Sequence, residues 1–440
     1  MKSRQSACRN LRTEVVNTFD DSPVSAFAYD YDAAGRRIQR LDGRANPPDE
    51  PLAVTNIFAY NQLSELTGAV MPALIPAGDT NTFAYQYDPI GNRQWARANE
   101  VTNLYQANEL NQYTNINEGA VEPVYDADGN MTSYGSWQFT WDAENRLVKV
   151  APHYLITGSR IYEYGYDYMS RRVKKTAKRY TMPMSTWTMR TFDYDGWNLI
   201  RERVEFDGAV STNQYVWGLD LSQTLQGAGG VGGLLMVVKG RANPPGEPLF
   251  PSCDANGNIS EYVDGGGSVV AQYEYDAFGN EISRSGAEAQ SIPFRFSTKY
   301  FDDETSLYYY GYRYYSPTLG RWINRDPLVE NAFYLAFAQR NLGLFVKAFV
   351  EVSEQSINAY CLLTNEPVGK YDYLGLQDGG TCTYFCIAHP FTSYFCVLSV
   401  NNCKPCYDCV TWFFGQPILP PGQRAPWWFW YSMACSLVLV

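Results

Sequence analysis

Seven of the chain's ten cysteines fall between Cys382 and Cys435, and their type and spacing are the clearest local signal for chemistry. Cys382 and Cys386 stand four apart, His389 and Cys396 follow, and Cys403, Cys406 and Cys409 then recur at intervals of three. Thiolate sulfur and imidazole nitrogen so spaced suit tetrahedral zinc, with Cys382, Cys386, His389, Cys403, Cys406 and Cys409 as candidate ligands. The same cysteines suit a disulfide framework in an oxidising compartment, with one thiol left over because seven is odd. Upstream the chemistry thins out. The chain's two histidines are His153 and His389, so no histidine-based triad or metal cage is expected there. No GxSxG, HExxH or Walker-type loop occurs. Gly227–Gly233, GAGGVGG, reads as a flexible turn rather than a phosphate cradle. No cofactor is expected outside the cysteine-rich tail.

The elements that must position any site are set by a repeat. An aromatic-Asp-x-x-Gly-Arg/Asn pattern occurs at Tyr31-Asp32 with Gly35-Arg36, Tyr87-Asp88 with Gly91-Asn92, Tyr125-Asp126 with Gly129-Asn130, and Tyr275-Asp276 with Gly279-Asn280. Degenerate copies begin at Trp141-Asp142, Tyr166-Asp167 and Cys253-Asp254. Ahead of several copies the residues alternate, as in Phe83-Ala84-Tyr85-Gln86-Tyr87, the period of a strand with aromatics on one face. The Asp accepts backbone N–H bonds and the Gly supplies the positive φ of a tight hairpin turn. Each unit is therefore strand, turn, strand. Such units cannot bury an aromatic face alone, so they stack into one long curling antiparallel sheet; a generic sandwich or propeller is the blander alternative. Gly43–Leu52 recurs nearly verbatim as Gly240–Leu249. Its Pro-Pro pair cannot join a ladder, so each copy is expected to bulge out as a loop, either a translated mobile element or a paired recognition loop.

The most specific stretch is Phe294–Pro327, with eleven aromatics, among them Tyr308, Tyr309, Tyr310, Tyr312, Tyr314 and Tyr315, followed by Gly320-Arg321-Trp322 and Arg325-Asp326-Pro327. On a strand, alternate tyrosines face a core and their neighbours turn their hydroxyls toward solvent or a cavity. With the closing Tyr371-Asp372-Tyr373-Leu374-Gly375-Leu376, this stretch resembles the RHS core that ends the β-shell of RHS and YD-repeat proteins. The resemblance implies an all-β fold, stacked antiparallel hairpins curling into a spiral shell or open trough. Phe333, Phe337, Phe345, Phe349 and Val352, at roughly helical spacing, add a short helical insertion near 330–357, and the cysteines an irregular Cys-rich tail. The resemblance divides the chain into repeats over 1–274, the core over 275–376 and a variable passenger over 377–440.

The resemblance also implies an aspartyl-type self-cleaving site at Asp326 and Asp372, cutting between Leu376 and Gln377. Two carboxylates brought close share a proton, so one can activate water while the other protonates the scissile carbonyl. Arg325 would hold a carboxylate or the developing oxyanion, and Gly375 would let the backbone approach the pair. Two departures stand out: Tyr373 replaces the family's proline, and Asp326 and Asp372 are unusually far apart in sequence. The role implied is a shell that encloses and releases its own C-terminal passenger, a toxin or effector, working with a secretion system or at a target-cell surface. The competing readings are a non-catalytic structural or cell-surface interaction protein and a truncated, non-functional fragment.

Composition bounds the rest. With 45% hydrophobic and 15% aromatic residues the chain can bury a large core, and a net charge of −11 disfavours nucleic acid as a partner of the shell. The basic run Arg171, Arg172, Lys174, Lys175, Lys178 and Arg179 is expected to be a solvated strand split across two faces. The N-terminal segment has a basic start without the apolar centre of a signal peptide; the secreted or cell-surface location implied by the resemblance leaves the export route open. Trp427-Trp428-Phe429-Trp430 suits contact with a membrane interface, and decayed sequence fits the tail equally well. One measurement separates the two cysteine chemistries. Thiol titration of the unreduced, denatured chain in chelator should find all seven tail cysteines free if zinc holds them, and about one if they are paired.

Overall fold

The computed structural model describes residues 2–5, 11–44, 52–74, 77–181, 187–240, 246–327 and 358–376, together with four short strands of the tail. Residues 1–326 and 358–378 group as one compact unit. Its strands follow one another in strict sequence order, each antiparallel to the next: ten from Lys2–Gln5 to Tyr113–Ile116, then fourteen from Val124–Tyr125 to Glu281–Ser285. Both sheets stay open. The fold is all-β, and the helical elements described include two 3-10 turns, Phe296–Thr298 and Leu363–Asn365.

The repeat motif has one geometry wherever it occurs. At Asp88 the side chain Oδ1 accepts the N–H of Ile90 at 3.0 Å and of Asn92 at 2.8 Å, while Oδ2 takes the Asn92 side-chain amide at 2.8 Å. Gly91 donates to the Asp88 carbonyl with φ +84°, in the left-handed region that a Cβ disfavours. The tyrosine before the aspartate has its own task. In several units its hydroxyl, like that of Tyr60 before Asn61, donates to a backbone carbonyl of the preceding unit: Tyr31 to Arg12, Tyr60 to Arg37, Tyr87 to Leu66, Tyr166 to Leu147 and Tyr275 to Ile259, all at 2.6–2.9 Å, whereas the buried Tyr125 hydroxyl makes no such bond. Where Trp stands instead, its indole N–H does the same, Trp141 to Met131 and Trp217 to Leu199. Three further turns of this kind, at Asn61, Asn108 and Asp264, lack part of the motif but place the same side-chain oxygen on the same two amides.

The two sheets curl far enough for the early strands of the first to face the late strands of the second. Asn17 bonds the Cys253 carbonyl at 3.0 Å, Arg44 pairs with the buried Glu261, and Arg37 reaches Asn256 and the Val368 carbonyl. Within this curl lies a four-stranded sheet, Tyr300–Asp302, Leu307–Tyr309, Tyr314–Ser316 and Arg321–Trp322. Here the expected alternation fails. Tyr308, Tyr309, Tyr310, Tyr314 and Tyr315 are all buried, because repeat strands cover both faces of this inner sheet. Their hydroxyls find partners inside the fold: Tyr315 donates to the Phe278 carbonyl at 2.7 Å, and Tyr314 meets Tyr166 at 2.9 Å.

The basic run departs from expectation for a related reason. Strand Arg172–Arg179 does split its charges, but Arg172 and Lys175 point inward and are buried. Asp302 of the inner sheet receives Arg172 at 2.5 Å and Lys175 at 2.6 Å. Five rings, those of Tyr164, Phe192, Tyr300, Tyr309 and Tyr314, lie within 4.5–5.9 Å of the Arg172 guanidinium. A desolvated cation is tolerable there because every side of it meets a carboxylate or a π face.

The first prolyl repeat connects two paired strands, with Arg44 opposite Leu52; the second does the same, with Val238 opposite Pro248. The loops between those strands lie outside the described residues at 45–51 and 241–245. The expected helical segment over 330–357 also lies outside them. In the tail Tyr384–His389 pairs with Thr392–Leu398, setting Cys386 opposite Cys396, and Trp412–Phe413 pairs with Gln416–Pro417.

The Arg172–Asp302 pair should dominate the attachment of the inner sheet. Arg172→Met is expected to cost about 3 kcal/mol in urea unfolding, since it leaves a buried carboxylate with one partner instead of two. Burial raises the Asp302 pKa, but Arg172 and Lys175 outweigh it and hold the carboxyl below its ordinary value. The stability so gained is present above about pH 3.9, the unfolded value, and is lost as pH falls through the lower folded value. Acid unfolding should therefore begin at higher pH in Arg172→Met than in the wild type.

Candidate functional site

Asp326 follows the last inner strand, Arg321–Trp322, and its N–H donates to the Ala359 carbonyl at 3.1 Å. Asp372 comes from the closing segment, where Tyr312 N–H bonds the Leu374 carbonyl at 3.1 Å. Both carboxylates are buried, Asp372 to 2% exposure. One guanidinium collects them. Arg313 Nη2 lies 2.9 Å from Asp326 Oδ2 and 3.4 Å from Asp372 Oδ2. Its Nη1 donates to the Ala359 carbonyl at 3.2 Å, its Nε to the Gly375 carbonyl, and its Cζ sits 4.1 Å from the Trp322 ring centroid. The tight turn that presents Arg313 is made possible by Gly311, at φ +119°, and closed by Tyr310 N–H on the Arg313 carbonyl.

The segment that would be cut lies against this fork. Leu376 N–H donates to Asp372 Oδ1 at 3.0 Å and to the Tyr373 carbonyl at 3.1 Å. Gly375 has φ +73°, and a Cβ added to it would lie 3.1 Å from Arg313 Cβ and 3.3 Å from Arg313 N. A side chain there would press on the arginine that holds both carboxylates. Leu374 is itself left-handed, at φ +56°, and buried.

Of the residues expected from the sequence, Asp326, Asp372 and Leu376 are thus brought together, while Gln377 lies outside the described residues. Arg325 is placed differently. Its side chain runs over Gly129, beside Tyr360, whose hydroxyl donates to the Gly129 carbonyl at 2.8 Å. The guanidinium between the two carboxylates belongs to Arg313, which sequence reasoning passed over. A cation inside Tyr310-Gly311-Tyr312-Arg313-Tyr314-Tyr315 was the available signal, because a charge in an aromatic run must find a counter-charge once buried. Cys386 and His389, two of the zinc candidates, fall on the strand Tyr384–His389; Cys382, Cys403, Cys406 and Cys409 lie outside the described residues. Among the described residues no cluster of three metal-ligating side chains occurs.

A second cation lies near Asp372. Lys299, 5% exposed, donates from Nζ to the Gly229 carbonyl at 2.8 Å and lies 5.2 Å from the Tyr310 ring centroid. Burial pulls its pKa down to about 8, against the opposing influence of Asp372 and Asp220. Gly229 belongs to the glycine-rich segment expected to be a flexible turn. That segment is a turn, but a packed one: Ala228 and Val231 are fully buried, and Asp220 Oδ2 accepts the N–H groups of Ala228 and Gly230.

Comparison with known proteins places this architecture. Residues 234–341 match the family model described as Teneurin YD-shell. A tRNA3(Ser)-specific nuclease WapA of Bacillus spizizenii is 29% identical over 57% of this chain, and toxin subunit YenC1 of Yersinia entomophaga is 27% identical over 68%. The double-stranded DNA deaminase toxin A of Burkholderia cenocepacia is 25% identical over 69%. The chain spans about a tenth of the length of the WapA relative, a third of YenC1 and a fifth of the deaminase toxin. Among solved structures, the TcdB2-TccC3 complex superposes on 85% of this chain with a TM-score of 0.65, over 18% of its own length and at 18% identity, so that likeness concerns the fold alone. Strand order, repeated turn, inner tyrosine sheet and these matches agree: the chain is similar to RHS/YD-repeat shell proteins in fold and in sequence.

Proposed function

We propose that this shell segment cuts itself after Leu376 and so frees the residues that follow. The observation that carries the reading is the convergence of Asp326, Asp372, the Gly375 carbonyl and the Leu376 amide on the Arg313 fork. One carboxylate takes a proton from a water molecule as its oxygen bonds to the Leu376 carbonyl carbon. The other carboxyl gives its proton to the carbonyl oxygen. Collapse of the tetrahedral adduct breaks the Leu376–Gln377 C–N bond, and the departing nitrogen takes up a proton. Arg313 holds the two carboxyl groups in position and supplies positive charge near the developing oxyanion. Relatives named as toxins and toxin subunits support a toxic or effector role for the freed segment, and release outside the producing cell or at a target surface.

One observation favours a second reading. A guanidinium shared by two buried carboxylates is also what a static clasp looks like, since it lets both remain charged. In that case the closing segment only locks the inner sheet, and the shell is a structural or surface-interaction module. Intact mass of the purified chain separates the two. Self-cleavage should give a fragment ending at Leu376, slowed by at least about 10³-fold in Asp326→Asn and in Asp372→Asn. A folded wild-type chain that stays whole over days at pH 5 to 8 would sink the proteolytic reading and leave the clasp.

A further inference from the structure

Lys299 has an odd setting for a lysine. It is buried, its ammonium has a backbone carbonyl as its hydrogen-bond acceptor, and the charges acting on it belong to Asp372 and Asp220. The backbone that delivers it is forced. Ser297 and Thr298, immediately before it, both lie in the left-handed region at φ +54° and +50°, a conformation that a β-branched residue strongly disfavours. Three side-chain bonds hold this shape: Ser297 N–H to Asn258 Oδ1 at 2.8 Å, Thr298 Oγ1 to the Gly257 carbonyl at 2.6 Å, and Gly232 N–H to Thr298 Oγ1 at 2.8 Å. Local strain that is over-determined by its surroundings is a mark of functional placement.

The strained turn aims Lys299 at one point, the contact between the glycine-rich loop and the closing segment. A Cβ on Gly229 would stand 3.2 Å from Lys299 Nζ, 3.2 Å from the Leu374 nitrogen and 3.4 Å from Leu374 Cδ2. Loop, ammonium and Leu374 backbone therefore meet closely, with little room for a methyl group. In the same segment, Arg313 holds the Gly375 carbonyl, and it also holds both carboxylates.

We propose that Lys299 is a positioning residue of the Asp326–Asp372 site: its ammonium fastens the Gly227–Gly233 loop against Leu374 and so holds the Leu374–Leu376 backbone on the carboxylates. Its bearing on catalysis rests on the self-cleavage reading above; the fastening itself does not. Asp220 serves the same arrangement indirectly, because its carboxylate organises the loop through the Ala228 and Gly230 amides. Displacing a reacting bond by a fraction of an ångström is costly in rate.

Two measurements on the full chain test this. In time courses of cleavage followed by intact mass, Lys299→Met should slow the reaction roughly 10- to 100-fold. Lys299→Arg, which keeps charge and donor, should recover most of the rate, whereas a merely space-filling role would be served better by Met. In the uncleaved Asp326→Asn background, Lys299→Met should raise hydrogen exchange about tenfold or more at amides 228–232 and 373–376 while the strands around Tyr162 and Tyr215 keep their protection. Cleavage of Lys299→Met at the wild-type rate, or unchanged exchange in both segments, overturns the proposal. If the wild type never cleaves, the proteolytic reading fails, and the exchange experiment still decides whether Lys299 fastens the loop to the closing segment.

Discussion

The shell depends on a hydrogen bond that most units make to the one before them. A tyrosine or tryptophan at the end of one strand reaches a backbone carbonyl upstream, as Tyr87 does to Leu66, 21 residues back, and Trp141 to Met131, 10 residues back. Each such bond contributes only about 1 kcal/mol. Its larger effect is on register. The aromatic ring is buried with its polar tip satisfied in one position alone, so a strand slipped by one residue would lose the ring's burial and leave the carbonyl unpaired. The aspartate turn that follows then fixes where the next strand begins. Ring, turn and strand together make a rule that can be applied again without limit, which is why the strand order never departs from sequence order.

This rule was legible in the sequence because all its parts lie within a few residues of one another. Tyr87, Asp88, Gly91 and Asn92 announce themselves as a group. Asn61 and Asn108 do not, although the amide oxygen of each takes the same two N–H groups and Ser64 and Asn111 adopt the left-handed conformation in place of glycine. Long-range consequences were harder to foresee. Nothing near Arg172 shows that its counter-charge is Asp302, and nothing near Arg313 shows that it will sit between Asp326 and Asp372. Local patterning also misjudged the tyrosine run, because a strand's alternation distinguishes two faces only when one of them is exposed. The inner sheet has no such face.

Backbone strain is distributed unevenly, and the distribution follows the site. Non-glycine residues in the left-handed region occur in hairpin turns, where Asn and Asp tolerate them, but also as Ser297–Thr298, Leu363–Asn365 and Leu374. The last three groups lie in the two 3-10 turns, Phe296–Thr298 and Leu363–Asn365, and in the closing segment beside Asp372. Asn365 is anchored to the Gly91 carbonyl and to Glu65, so a turn of the first sheet helps hold one strained segment in place. The repeats are therefore more than an enclosure. They are the rigid frame against which an unfavourable local conformation is maintained.

The two prolyl repeats show what such a frame tolerates. Each lies between strands that are already paired, Arg44 with Leu52 and Val238 with Pro248. Lengthening a closed hairpin loop adds little to its entropy of closure, because that cost rises only with the logarithm of length. A longer connection between such strands thus leaves the register of every other strand intact. The architecture separates the places where the chain must be conserved in form from those where it is free to accept new material, and a lineage built this way can change its surface by insertion without having to rediscover how to fold.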